Sequence, residues 1–188
     1  MPPNRRAIAG VNDSKQLDHA TRVVLAARIR EQALAIAIGA ASAREVDRLN
    51  IYHATVLAMR RAIARVPMRL GQAPHHVLVD GKALRTLGVE HTAVVKGDAK
   101  CYAIACASIV AKVTRDRLMV ALAGRYPHYA WERNSGYGTV FHRSALAEFG
   151  LTPHHRRSFC LDEQVSLLLG DAPASVTRLP ASDDPSDR

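Results

Sequence analysis

Apolar positions change period several times along the chain, and each change marks an element. Ile51, Ala54, Ala58 and Ala62 in IYHATVLAMRRAIARV recur at the spacing of one helical face, with Arg60, Arg61 and Arg65 turned outward. Pro67 lacks an amide hydrogen and is expected to stop this helix. Upstream, Asp13 or Ser14 can cap a helix running to about Gln32, and ALAIAIGAAS (33–42) then reads as a buried strand of small and branched residues. Ser42 and Glu45 have capping-box spacing and open a short helix. Two further runs, HHVLVDG (75–81) and VEHTAVVKGD (89–98), read as strands, and a long helix follows from about Ala99 to Ala123. The order helix, strand, helices, strand, strand, helix predicts a layered α/β domain with a mostly internal sheet.

At 188 residues and 48% hydrophobic content, the chain is long enough to bury a core as one domain. Its three cysteines, Cys101, Cys106 and Cys160, show no metal-ligand spacing, which favours a reduced, cytosolic setting. No apolar run has the length of a signal peptide or a membrane span, so a soluble cytoplasmic protein is expected. From about Gly170 the chain turns rich in Pro, Ser and Asp, and this tail is expected to be disordered.

The formal charge is +9, and the tail GDAPASVTRLPASDDPSDR holds four Asp against two Arg, leaving +11 on the rest. An excess of that size favours polyanion partners, nucleic acid first among them. A basic protein with a generally Arg-rich and Ala-rich composition is the plainer alternative.

In such a chain, two acids at the ends of apolar strands stand out. Asp80 and Asp98 fall where α/β sheets gather their sites, beside Gly81 and Gly97, which let the backbone turn away. Two carboxylates sharing a cleft resist ionising together unless a cation neutralises them, and Mg²⁺ or Mn²⁺ suits such oxygen ligands. The alternatives are a turn residue at Asp80 and a helix cap at Asp98. In AKCYAIACASIVAKVTRDR, the small residues Ala103, Ala105, Ala107 and Ser108 allow another backbone to approach, while Lys112, Arg115 and Arg117 are either a solvated basic helix end or phosphate contacts. Tyr137, between glycines in NSGYGT, is either exposed for stacking or folded onto the core. HHRRSF (154–159) adds a basic cluster.

Taken in order, VNDSKQL, the S-x-x-E-V-D-x-x-N-I segment, LVDG, VVKGD, ASIVAKVTRD, GYGT and PHHRRSF together resemble bacterial ribonuclease HII, the type 2 ribonuclease H family, over about residues 8 to 160. The resemblance implies a ribonuclease H-like α/β fold, a mixed sheet flanked by helices, spanning about residues 1–165. It implies a metal-dependent endonuclease that cleaves the RNA of RNA–DNA hybrids and cuts 5′ of single ribonucleotides in duplex DNA, leaving 3′-hydroxyl and 5′-phosphate ends. By position, Asp80 matches a metal-binding aspartate and Asp98 a further active-site acid, with Mn²⁺ or Mg²⁺ as cofactor. Tyr137 matches the tyrosine that stacks at the ribonucleotide–deoxyribonucleotide junction, and Ser14, Lys15 and Lys112 fall to phosphate or backbone contact.

One part of the pattern is absent. Family members carry an adjacent Asp-Glu pair and then Gly-Arg-Gly ahead of the NDSK motif; the only Asp-Glu here, Asp162–Glu163, follows HHRRSF. In the family that stretch supplies two more active-site carboxylates, the reader of the 2′-hydroxyl and the first strands of the sheet. Residues 1 to 188 alone are therefore expected to be poorly stable and nearly inactive, a start assigned too far downstream being the leading explanation. A non-catalytic nucleic-acid-binding remnant is the competing function, and a monomer without membrane association is expected.

Overall fold

The structure, a computed structural model, describes residues 5–159. Helix α1 (His19–Gln32) begins at Asp18, whose carboxylate accepts the Thr21 amide hydrogen at 2.8 Å. Helix α2 (Ala43–Leu70) opens on the expected capping box, with Ser42 and Glu45 each bonding the other's backbone. Two short strands follow, β1 (Leu78–Asp80) and β2 (Thr92–Val94), and then α3 (Gly97–Lys100) and the long α4 (Tyr102–Arg125). A 3₁₀ turn (Pro127–Tyr129), α5 (Trp131–Asn134) and α6 (Val140–Phe149) complete the described chain.

The two strands pair in parallel, Leu78 against Thr92, Val79 against Ala93 and Asp80 against Val94. Parallel pairing sends both chains out of the sheet at the same end, so the residues that follow β2 turn directly beside Asp80. The connection 81–91 crosses back with Leu87 plugged beneath it, 1% exposed and packed with Val56 and Val79. A larger cluster joins α1 to the first half of α4 through Leu25, Ala26, Ile29, Cys106, Ile109 and Val113. A third fills the space beside the far end of α4, where Met119, Tyr129, Trp131 and Leu146 meet.

Several expectations change. The α1 cap is Asp18 rather than Asp13 or Ser14, which instead form a turn: Lys15 donates its amide hydrogen to the Asp13 carboxylate and Gln16 to the Asp13 carbonyl. Residues 33–42 form no strand, because none of the described strands runs beside them; Arg61 and Arg65 instead cap the carbonyls of Ala40 and Ile38. Arg60 and Arg65 are exposed, as expected, and Arg61 is half-buried; all three nevertheless reach back over neighbouring backbone, Arg60 bonding the Leu87 carbonyl at 2.9 Å. The backbone breaks at Asn50 (φ 65°), and Pro67 is absorbed in the last turn of α2, which runs on to a left-handed Gly71. In the small-residue run only Ala105 is buried; Ala103 and Ala107 stay exposed. Cys101 and Cys106 are free thiols, as expected, whereas Cys160 and the acidic tail lie outside the described residues. None of the described helices is long and apolar enough to cross a membrane.

Candidate functional site

The strand ends bring the two acids onto one turn. Asp80 closes β1, and its Oδ1 accepts the Gly97 amide hydrogen at 2.7 Å. Gly81 then leaves with φ +94°, a conformation that disfavours other side chains. Glycine is needed at 97 for space: a Cβ there would sit 2.6 Å from the Ile104 Cδ1 and 3.2 Å from the Asp80 Oδ1. The left-handed residue of this turn is Lys96 (φ 56°), a non-glycine in a costly region, as often occurs where a site fixes its backbone. Asp98, 9% exposed, turns inward from the first turn of α3, with Lys15 Nζ 3.5 Å from its Oδ2. Lys15 is itself largely exposed, so this pair balances charge and adds little stability.

From there the site continues along one stripe of α4. Buried Ser14 shares a 2.8 Å hydrogen bond with Ser108, which fixes the turn carrying Lys15 against the helix. One helical step on is Lys112, and another is Asp116. Lys112 Nζ lies 2.8 Å from Asp116 Oδ1 and 5.5 Å from the centroid of the Tyr137 ring. Tyr137 is 63% exposed, so the loop presents it to solvent instead of folding it onto the core.

Asp116 is the residue that ties these parts together. It is 6% exposed and is approached by four side chains from three segments: Lys112, Ser135 Oγ at 3.3 Å, Arg22 at 3.8 Å and His19 at 3.7 Å. Burial acts to raise its carboxyl, but the hydrogen bond and charge of Lys112, helped by Ser135 and Arg22, outweigh it and hold the group below the usual carboxylate range. Arg22 in turn donates to the carbonyls of Ser14 and Leu17, linking the Lys15 turn to Asp116. On the other side Arg115 donates to the Ser135 carbonyl at 3.1 Å.

The structure thus brings Ser14, Lys15, Asp80 and Asp98 together at one end of the stripe, and Lys112 and Tyr137 at the other. Sequence reasoning passed over Asp116, Arg22 and Ser108 as site residues. The Lys112–Asp116 spacing was a readable signal, whereas Arg22 reaches Asp116 only through tertiary packing. Of the HHRRSF cluster, His155 is buried, and the amides of Arg157 and Ser158 bind the Asp47 carboxylate, so part of that segment is structural.

The chemistry of the donors fits a hard divalent cation. Asp80 and Asp98 offer carboxylate oxygens around a shared turn, but no group of three or more His, Cys, Asp or Glu side chains among the described residues is placed to hold a metal. An ion held by these two would complete its shell with water and phosphate oxygens, as cations of the magnesium type commonly do.

Comparison with known proteins points the same way. Residues 4–162 match the family described as Ribonuclease HII. The chain is 56% identical over 161 residues to a ribonuclease HII of Thermosynechococcus vestitus, covering 85% of this chain and 72% of that protein. It is 53% identical over 156 residues to a ribonuclease HII of Granulibacter bethesdensis, covering 82% and 69%. Among solved structures, the crystal structure of the ribonuclease H2 from Pyrococcus horikoshii OT3 superposes with a TM-score of 0.59 at 21% identity, covering 85% of this chain and 81% of that one.

Proposed function

The chain belongs to the ribonuclease HII family of endoribonucleases, which use divalent metal, and from that premise we propose that it hydrolyses the RNA of RNA–DNA hybrids on the strand-end face, with Asp80 and Asp98 as metal ligands. The observation that carries the assignment is the continuous run from Asp80 through Gly97 and Asp98 to Lys15, and along α4 from Ser108 to Lys112 and Tyr137. Acids at one end and a cation with an exposed aromatic at the other fit a scissile phosphate flanked by the strand that must be held.

Each residue has a separable task. Asp80 and Asp98 present oxygens to Mg²⁺ or Mn²⁺. Lys15 offsets the Asp98 charge before the ion arrives and is free to move to a phosphate afterwards. Lys112 contacts the nucleic-acid backbone, buried Ser14 holds the Lys15 turn in reach of it through Ser108, and Tyr137 stacks on the sugar or base at a ribonucleotide–deoxyribonucleotide junction, which also suits single ribonucleotides embedded in duplex DNA. The cation, when bound, supplies charge that activates water and steadies the leaving oxygen. The chain acts in this reading as a soluble cytoplasmic monomer.

Substituting Asp80→Asn or Asp98→Asn tests the assignment. Metal-dependent cleavage of a hybrid should fall by roughly a thousandfold, about 4 kcal/mol of barrier, while duplex affinity in metal-free buffer stays within about twofold, the carboxylates being no part of the phosphate grip. Undiminished cleavage by Asp80→Asn would remove it from the ligand set. A second reading, a nucleic-acid binder that does not cleave, draws on the pairing of only two acids among the described residues. It requires salt-sensitive duplex binding with no metal-dependent cleavage by the wild-type chain.

A further inference from the structure

Behind the exposed Tyr137 lies a buried chain of hydrogen bonds that runs away from the acids. His155, 7% exposed, receives at Nδ1 the Thr152 amide hydrogen at 2.9 Å, with the Thr152 hydroxyl also at 2.9 Å. An amide nitrogen can only donate, so Nδ1 of His155 carries no proton and a neutral ring must carry it on Nε2. That Nε2 lies 3.1 Å from Nε2 of His142, itself 5% exposed. Trp131 Nε1 also donates to the His142 Nε2, at 3.3 Å. Two donors converging on this nitrogen make it an acceptor, and the His142 proton is left on Nδ1, 2.9 Å from the carbonyl oxygen of Tyr137. The Thr152 amide thus sets the tautomers of two rings and places a donor against the backbone of Tyr137.

That position needs holding. Gly136 has φ +80°, Gly138 follows the tyrosine, and the ring reaches into solvent. A tyrosine between two glycines samples many orientations, and ordering it on binding costs affinity. The carbonyl of Tyr137 accepts from His142 and from the Thr139 amide at 2.8 Å, and its amide donates to the Asn134 carbonyl at 2.9 Å. Of these contacts, only the histidine comes from a buried side chain.

We propose that His142 and His155 form a fixed-tautomer relay that positions Tyr137 for the ribonucleotide junction. His142 is a positioning residue: it touches no substrate and acts through the Tyr137 carbonyl. The inference rests on the reading of Tyr137 as a substrate contact.

The test measures binding of a fluorescently labelled DNA duplex with one embedded ribonucleotide, by anisotropy, with Ca²⁺ in place of the catalytic ion. Tyr137→Ala should weaken binding about tenfold, the scale of one stacking contact. His142→Gln and His142→Asn then separate positioning from bulk structure. Asn places an amide donor where Nδ1 stood and should bind within about twofold of wild type; Gln places its amide nearer Nε2 and should lose about threefold or more. In the His142→Gln background Tyr137→Ala should add less than about twofold, showing that the two act together. Trp131 is the only tryptophan in the chain, so its emission reports whether each variant keeps the buried cluster. Equal binding by the Asn and Gln variants, with Tyr137→Ala retaining its tenfold effect in both, overturns the relay and leaves Tyr137 in place. A silent Tyr137→Ala in the wild-type chain overturns the relay and the stacking assignment together.

Discussion

At the Ser108 end of α4, the site leans on a two-stranded ladder, one amide-to-carboxylate hydrogen bond and a lysine in solvent. At the other end, Tyr137 and Ser135 rest on a buried layer in which Trp131 stacks on Tyr129 at 5.3 Å and two histidines share a proton. Polar groups are directed at both ends, and both rest on buried side chains, but the first is backed by aliphatic residues of α1 and α4 and only the second by stacked aromatic rings. Under the proposed function the difference reads as a division of labour: the face proposed to grip the strand is built beforehand, and the acid face would become a defined geometry when positive charge arrives between its carboxylates.

Removing the aromatic backing should have the largest effect. Trp131→Ala is expected to cost about 4 kcal/mol in urea unfolding, because a fully enclosed ring leaves a cavity its neighbours cannot fill. Leu87→Ala, at the equally buried plug under the strands, should cost about 2 kcal/mol, since its partly buried aliphatic neighbours can collapse inward. Equal losses would erase the contrast between the two ends.

Acid should separate them next. Burial, with the charges of His142 and His154, lowers the His155 pKa from 6.5 to about 4. Below 6.5 the unfolded chain takes the proton first, so this stability is whole above that pH and is lost as pH falls toward 4. At most about 3 kcal/mol is involved. Asp116 works in a lower window: its carboxyl is held below 3.8, so its contribution persists until the pH falls through that value. Near-UV ellipticity, which follows the aromatic layer, should therefore weaken between pH 6.5 and 4, before the Asp116 network fails. A transition confined to pH below 3.8 would count against the burial of His155.

The smallest effect on folding belongs to the acid turn. Gly97→Ala should cost about 1–2 kcal/mol of stability as the Ile104 side chain shifts. Cleavage should suffer more, because the new methyl presses on Asp80 Oδ1. If activity falls only in step with stability, the turn is not holding Asp80 for chemistry.

Much of this arrangement is legible in the sequence. Asp80 and Asp98 stood out because strand ends in α/β folds converge, and the parallel register delivers that convergence. The glycines around Tyr137 left exposure and folding onto the core both open, and the structure puts the ring in solvent. The stretch 33–42 misled because apolar composition promises a strand, but a strand also needs a partner to bond with. Asp13, Ser14 and Asp18 are all competent caps, and only the path of the chain chose Asp18. His142 and His155 lie in separate segments, and their meeting depends on how α6 packs against Trp131, which no local pattern encodes.

The α4 stripe also acts as a ruler. Ser108, Lys112 and Asp116 are each four residues apart, about 6 Å of rise per step. A single inserted residue between Ser108 and Lys112 would rotate everything downstream by about 100°, carrying the lysine off the working face with the tryptophan layer attached. The 72–76 connection ahead of β1 can lengthen freely, but this segment must keep its count.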